Sequence, residues 1–252
     1  MGDGIYTALS GALAQQHSLD VIANNVANVN TAGFRGDRVV FGEMLAGAQS
    51  AAPVDPRQPA PPRTDQFVRV EANALDRTGG MLRDTGNTLD FGINGPGYFV
   101  VRTAQGDRLT RSGNFVLNDD GQLSTVDGGA VLADSGRNIV FPKGVKDIQV
   151  TGNGVVRANG QDIATLAIRD VTDPRQITRE GTTTYTVAQG SELIKPQGTQ
   201  IVQGHLEASN VNPVAGLNEL ITVQRSFDAL QKTIETFQQI DQRTVRDIGN
   251  RQ

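Results

Sequence analysis

Two stretches at opposite ends of the chain carry mostly apolar residues at alternating steps of three and four. In residues 4–28 these positions are Ile5, Leu9, Ala12, Gln16, Leu19, Ala23 and Val26. In residues 213–249 they are Leu220, Val223, Phe227, Leu230, Ile234 and Phe237, followed by Asp241, Thr244 and Ile248. This spacing keeps one stripe of a helix facing a partner helix. The pattern therefore predicts a long amphipathic helix at each end.

The second helix is too long to be covered by its own chain. It would extend roughly 55 Å at 1.5 Å per residue, starting at the favourable cap Asn212-Pro213. We therefore expect it to pack against the other terminus, other copies, or both. With Leu220 at heptad position a, uncharged residues fill the e and g positions, namely Gln224, Gln231, Gln238, Ser226 and Thr233. Either further helices pack there, or the face is solvated.

The opposite face of this helix carries charges of alternating sign. They recur at steps of three and four, at Arg225, Asp228, Lys232 and Glu235. Such pairs stabilise an exposed helix face.

The middle of the chain has a different rhythm. A linker is predicted at residues 46–62, where five prolines lie between Pro53 and Pro62. From about Phe67 onward, short apolar runs alternate with turn residues. The runs include residues 98–101, 114–117, 131–132, 139–141 and 163–168, and the turns include residues 118–121, 127–129 and 152–154. This arrangement predicts a compact all-β domain.

Composition mainly excludes alternatives. The chain has 252 residues and a net charge of −4, with 23 Lys and Arg dispersed among 27 Asp and Glu, so nucleic-acid binding is not expected. No apolar stretch is long enough to span a membrane, and residues 1–4 lack the features of a cleaved secretory signal. Cysteine is absent, which excludes disulfides and thiolate sites.

Residues able to support catalysis are few. His17 and His205 have no pattern of neighbouring ligands, and Asp119 with Asp120 is better explained as a hairpin turn than as a carboxylate pair. A glycine series at Gly92, Gly95 and Gly97 matches neither a phosphate loop nor a dinucleotide fingerprint. We predict no enzyme activity, no metal and no cofactor.

The first helix is predicted to end in an asparagine cluster. Asn24, Asn25 and Asn28 have poor helix propensity, so their amides should bond the backbone in a cap and turn, or form a network between subunits. Gly33 is expected to adopt a positive φ where the helix ends and Phe34 turns back to pack.

Several segments resemble signatures of the bacterial flagellar rod and hook proteins. The terminal ones are residues 23–34 (ANNVANVNTAGF), 204–212 (GHLEASNVN) and 224–227 (QRSF); the middle ones are 89–101 (LDFGINGPGYFVV) and 109–115 (LTRSGNF). Val26 departs from the usual Leu, and Arg35-Gly36 stands where Lys is usual. Residues 5–12 and 225–228 are closer to the proximal-rod branch than to the distal-rod branch.

The resemblance implies a mixed fold, with an all-β central domain and terminal helices that form a coiled-coil layer in the assembly. Its divisions are an N-terminal helix at 1–33, an extended arm and linker at 34–75, a β-rich outer domain at 76–205 and a C-terminal helix at 206–252. Implied assembly residues are Ile5, Leu9, Leu19, Asn24, Asn25, Asn28, Gly33, Phe34, Glu207, Ser209, Asn210, Leu220, Val223, Gln224, Arg225, Phe227, Leu230, Ile234 and Phe237.

The implied function is that of a structural subunit of the periplasmic rod, exported by the flagellar type III apparatus. Its partners would be copies of itself and proximal- and distal-rod subunits, with no nucleic acid and no direct membrane insertion. Two other classes stay open. A secreted β-domain binding module would be a stable monomer that binds through residues 76–200, and a cell-wall hydrolase would need an acid/base pair that the sequence lacks.

Overall fold

The computed structural model describes residues 2–45, 66–145 and 147–249, and the predicted linker at 46–62 lies outside them. Both predicted helices are present, α1 at Gly2–Ala27 and α2 at Pro213–Gly249. The described chain between them is mostly β-structure. The fold class is therefore confirmed as a β-rich middle with a helix towards each end.

The described residues form two compact units. One comprises those of 1–26, 37–74 and 213–252, and the other comprises 27–36 and 75–212. We refer to them as the helical unit and the β unit. Besides the two helices, the helical unit contains a two-stranded sheet made of β1, Asp37–Leu45, and β2, Gln66–Leu75, whose last residue belongs to the β unit.

In the helical unit, α1 and α2 lie against each other in opposite directions. A methyl group placed on Gly11 would lie 3.5 Å from Leu230 Cδ1, and one placed on Gly216 would lie 2.8 Å from Val26 Cγ2. Positions therefore rise along α1 as they fall along α2. The least exposed residues of α2 include its predicted stripe, Leu220, Val223, Phe227, Leu230, Ile234 and Phe237.

The predicted stripe of α1 includes both buried and exposed residues in the single chain. Leu9, Gln16 and Ala23 are exposed, whereas Ala12 is buried together with Ala8, Ala14, Ser18, Val21 and Ile22. Small side chains dominate this buried stripe. Small side chains leave room for a neighbouring element, such as Leu230 of α2 beside Gly11, and the spacing of apolar residues alone does not reveal this.

The largest sheet of the β unit has nine strands. The strands are β5 (Tyr98–Thr103), β6 (Gly106–Thr110), β7 (Phe115–Leu117), β8 (Leu123–Thr125), β9 (Ala130–Val131), β13 (Ile168–Val171), β14 (Ile177–Arg179), β15 (Thr184–Val187) and β16 (Leu193–Ile194). The main path of the sheet runs in the order β14-β15-β6-β5-β9-β8-β7, with β13 pairing both β5 and β16. A short 3-10 helix, Pro174–Gln176, precedes β14.

Three smaller sheets complete the β unit. They are β10-β11-β12, formed by Ile148–Val150, Val155–Ala158 and Gln161–Thr165; β4 with β17, Phe91–Asn94 and Gln200–Gln203; and β3 with β18, Leu82–Asp84 and His205–Glu207. The predicted run at 163–168 divides between β12 and β13, because the chain leaves the three-stranded sheet there for the large one. Residues 139–141 form only an isolated bridge, Val140 with Gln122.

Strand β5 separates two hydrophobic clusters. Phe99 and Val101 belong to one cluster with Phe91 and Phe115, and the alternate residues Tyr98 and Val100 belong to the other. Side chains alternate between the two faces of a strand, so an uninterrupted apolar run is buried on both faces. The predicted turn at residues 118–121 is confirmed, since it joins the antiparallel pair β7 and β8.

Candidate functional site

The segment that follows α1 meets the segment that precedes α2 inside the β unit. The Gly33 amide donates to the Glu207 carbonyl at 2.7 Å, the Gly36 amide donates to Asn210 Oδ1 at 2.8 Å, and the Asn210 amide donates to the Phe34 carbonyl at 3.4 Å. We call residues 31–36 and 205–210 together the junction. It joins the first and the last segments of the β unit along the chain.

Gly33 has the positive φ that the sequence predicts, at +70°. A Cβ at this position would lie 2.3 Å from both Arg111 C and Ser112 N. Both are backbone atoms, so they cannot turn aside as a flexible side chain can. Glycine is therefore required at position 33 for two reasons. Its φ is positive, and the backbone of Arg111 and Ser112 leaves no room for a Cβ atom.

A buried ion cluster lies beneath the junction. Arg35 Nη2 donates to Glu207 Oε1 at 3.3 Å, and Arg111 Nη1 donates to Glu207 Oε2 at 2.9 Å. The exposed fractions of these side chains are 3%, 3% and 2% for Arg35, Arg111 and Glu207. The Gly80 amide is a third donor to the Glu207 carboxylate, at 3.0 Å from Oε1. Removing either side of such a buried pair leaves an uncompensated charge and is strongly destabilising.

The Tyr98 ring packs against both arginines of the cluster. Both guanidinium groups lie 5.3 Å from the centroid of the buried Tyr98 ring, and Arg35 Nη1 also donates to the Tyr98 hydroxyl at 3.2 Å. Burial lowers the pKa of the Arg111 guanidinium, the like charge of Arg35 lowers it further, and Glu207 opposes both effects. The cluster therefore contains two mutually repelling cations held by one carboxylate.

Two asparagines bind backbone through their side-chain amides, one in each unit. Asn210 Nδ2 donates to the carbonyls of Asp76 and Thr78 at 3.2 and 3.1 Å, while its Oδ1 holds Gly36. In the helical unit, Asn25 Nδ2 donates to the Asp37 carbonyl at 2.8 Å and Asn25 Oδ1 accepts from the Asp37 amide at 3.0 Å. The sequence left two interpretations of the asparagine cluster open, namely amides that bond the backbone and a network between subunits. In the single chain, the Asn25 amide bonds the backbone.

Three family models match the chain in order. They describe the flagella basal body rod protein at residues 5–35, the flagellar hook protein FlgE/F/G D1 domain at 92–158, and the flagellar basal body rod FlgEFG protein C-terminal region at 202–247. The first model ends at residue 35, inside the junction, and the last begins at residue 202, three residues before the second segment of the junction. The junction therefore lies at the inner edges of the two terminal family models.

Full-length relatives agree with these models. The flagellar basal-body rod protein FlgF of Rhizobium meliloti (strain 1021) is 32% identical over 248 residues, covering 94% of this chain and 98% of the relative. The chain belongs to the flagellar basal-body rod protein family. FlgF of Caulobacter vibrioides is 29% identical over 99% of each chain, and FlgG of Agrobacterium fabrum is 34% identical over 91% of this chain and 93% of the relative. As a rod-family member, it is a structural subunit of the flagellar basal body.

The rod-family residues predicted to act in assembly have different surroundings in the single chain. Gly33, Phe34 and Glu207 are buried in the junction, and Ser209 Oγ accepts from the Val211 amide there. On the helices, Ile5, Leu19, Asn25 and the α2 stripe are half-buried. Asn28 is also half-buried and accepts from Thr31. Leu9, Asn24, Gln224 and Arg225 are exposed.

Sequence reasoning assigned no function to Arg35, Tyr98, Arg111 or Arg179. Arg179 stacks over Phe34, with 4.7 Å between the guanidinium carbon and the ring centroid, and donates to the Arg35 carbonyl. One signal was available. Arg111 and Glu207 are charges inside otherwise neutral signature segments, which indicates a pair that the fold must bring together.

The described residues contain neither a cluster of metal ligands nor a membrane-spanning helix. Among residues 2–45, 66–145 and 147–249, no three His, Asp or Glu side chains gather closely enough to hold a metal ion. Within these same ranges, no helix has the length and apolar character needed to cross a membrane. The family is one of structural rod proteins rather than enzymes.

Proposed function

We propose that the chain is a proximal-rod subunit of the FlgF type. Relatives named FlgF from Rhizobium meliloti, Mesorhizobium japonicum and Caulobacter vibrioides align over 94%, 100% and 99% of this chain. The identities to FlgF and FlgG relatives overlap, so the support comes from these end-to-end alignments and from residues 5–12 and 225–228. Complementation tests the assignment. The chain should restore motility to a strain lacking its FlgF-type gene and fail in one lacking its FlgG-type gene.

The single observation that supports assembly through the helices is a second apolar stripe on each. Tyr6, Leu9 and Leu13 of α1 are 61%, 45% and 59% exposed. Val214, Leu217 and Ile221 of α2 have the same spacing and are 67%, 49% and 48% exposed. Apolar residues three and four apart form a continuous stripe along a helix. These stripes are exposed in the chain, while other residues of the two helices, such as Gly11 and Leu230, pack α1 against α2.

In the assembled rod, these exposed stripes bind copies of the chain and neighbouring proximal- and distal-rod subunits. The helices form an inner coiled-coil layer, and the β unit forms the outer layer. Subunits travel through the type III flagellar export apparatus and reach the periplasmic part of the basal body. Residues buried in the junction, such as Phe34 and Glu207, contribute by holding the β unit in one conformation.

A paired substitution on α2 tests this mechanism. Leu217→Asp with Ile221→Asp should abolish rod completion, because each change places an unpaired charge in an apolar contact. Asn218→Asp with Gln239→Asp is the matched control, since both residues are exposed on the same helix and neither is among the implied assembly residues. Completed hook-basal bodies are counted by electron microscopy at equal protein level. Normal numbers in the Leu217 and Ile221 variant would favour the β-domain binding module instead.

A further inference from the structure

The β unit contains a cavity lined largely by arginines and glycines. Its volume is about 500 Å³, and its lining residues are Arg35, Arg77, Gly79, Gly95, Pro96, Gly97 and Arg111. The glycines and the proline contribute no charge, and no acidic residue is among the lining residues. The polar side-chain chemistry of the cavity wall is therefore that of three guanidinium groups.

These guanidinium groups carry more charge than their partners neutralise. Arg35 and Arg111 share one carboxylate, Glu207, and Arg77 Nη2 binds Asp170 Oδ1 at 2.5 Å. Three positive charges therefore face two negative ones, which leaves one positive charge in excess. An uncompensated charge in a buried site is costly, and Arg35 and Arg111 are almost completely buried.

The two buried arginines also have hydrogen-bonding capacity to spare. The Nε atoms of Arg35 and Arg111 are buried and donate to no atom of the described residues. Their other nitrogens are fixed in place, because Arg111 Nη2 donates to the Gly95 carbonyl at 2.7 Å and Arg35 Nη1 donates to Tyr98. A buried donor that forms no hydrogen bond costs the folded state the full free energy of desolvating that donor. The guanidinium groups of Arg35 and Arg111 are thus held in place, and each has one N–H donor, at Nε, without a hydrogen-bond partner.

We propose that this cavity binds a carboxylate. Guanidinium groups bind carboxylates through paired N–H donors of matching geometry. A carboxylate carries one negative charge, which matches the single excess charge, whereas a phosphate dianion would exceed it. The ligand is either a small free carboxylate or an acidic side chain of a neighbouring subunit, and the second source depends on the proposed rod function.

Thermal unfolding of the purified chain tests the site. A ligand that binds only the folded state raises Tm in a saturable way. Sodium acetate should therefore raise Tm above its value in sodium chloride at equal ionic strength. Arg77→Gln, which removes the most exposed of the three guanidiniums, should abolish this difference. Arg157→Gln is the matched control and should retain it, since Arg157 pairs with Asp162 on the surface, away from the cavity.

Three results would overturn the proposal. They are an equal Tm in both salts for the wild-type chain, an undiminished acetate effect in Arg77→Gln, and a stabilisation by phosphate that saturates at a lower concentration than the stabilisation by acetate. Saturation-transfer NMR with acetate and the wild-type chain measures binding directly. A missing transfer signal there would also overturn the proposal, even if Arg77→Gln does not fold.

A cellular comparison distinguishes the two sources of the carboxylate. Hook-basal bodies are counted in cells with Arg77→Gln and Arg157→Gln at equal protein level. A lower count only in Arg77→Gln assigns the carboxylate to a neighbouring subunit, and equal counts assign it to a free molecule. Because acetate binding is measured on the purified chain, its outcome is independent of whether the chain assembles into a rod.

Discussion

Gly33→Ala should destabilise the β unit far more than an ordinary glycine substitution. A left-handed conformation costs a non-glycine residue about 1–2 kcal/mol. The new Cβ would also lie 2.3 Å from Arg111 C and Ser112 N, whereas carbon atoms at optimal contact are about 3.5–4.0 Å apart. Relieving such a contact requires backbone movement, and overpacking of this kind typically costs about 1–3 kcal/mol more. The expected total loss is about 2–5 kcal/mol.

Gly86→Ala separates the two contributions. Gly86 has a φ of +67°, close to the +70° of Gly33, but a Cβ there would meet no atom within 4 Å. It should therefore show the conformational cost alone, about 1–2 kcal/mol. The difference between the two variants then measures the close approach of the Arg111 backbone to Gly33.

Urea unfolding followed by near-ultraviolet circular dichroism provides the measurement. Tyr98 and Tyr185 are fully buried in the β unit with their rings 5.6 Å apart, so their signal reports its tertiary packing. A native domain is stable by only about 5–15 kcal/mol, so Gly33→Ala should lower the midpoint markedly. Equal losses for Gly33→Ala and Gly86→Ala would refute the steric argument.

Four further predictions follow from the contacts described. Glu207→Gln should cost about 3–5 kcal/mol in urea unfolding, because it leaves two buried guanidiniums without a counter-charge; a loss as small as that of the exposed control Glu192→Gln would contradict this. Asn25→Leu should cost about 1–3 kcal/mol and speed hydrogen exchange at the Asp37 amide, and unchanged exchange there would disprove the pairing. Phe227→Asp should lower the helical circular dichroism signal and cost on the order of 2 kcal/mol, whereas Gln231→Asp on the exposed face of α2 should not. The hydrogen bond from Arg169 holds the pKa of Asp134 below its ordinary value of 3.8. The stabilisation by Asp134 is therefore present above that value and is lost as pH falls through the lowered pKa. The Tm difference between the wild-type chain and Asp134→Asn should vanish in acid, and a difference independent of pH would contradict this.

Features set by local chemistry could be predicted from the sequence. Asn212-Pro213 marks the start of α2, and the apolar spacing identifies its less exposed stripe. The positive φ of Gly33 was predictable because few residues other than glycine adopt a positive φ at low cost. In each case, neighbouring residues determine the conformation, so a short window of sequence contains the necessary information.

Features set by distant contacts could not be predicted in the same way. The buried stripe of α1 depends on Ala8 and Ala12, whose small size matters only because α2 lies beside Gly11. Arg35 and Glu207 are 172 positions apart, and no periodicity connects them. Their pairing follows from strand topology, which the pattern of apolar and polar residues does not specify. The sequence shows that Arg35 and Glu207 are charged, but it does not show that they pair with each other.

The junction also has a mechanical consequence. Tension applied between α1 and α2 enters the β unit at Gly33 and leaves it at Glu207 and Asn210, where the two segments are already bonded to each other. The load then crosses a few hydrogen bonds and the Arg35–Glu207 ion pair without passing through the nine-stranded sheet. Within the β unit, single-molecule pulling from the two chain ends should therefore break the junction first and unravel the strands only afterwards.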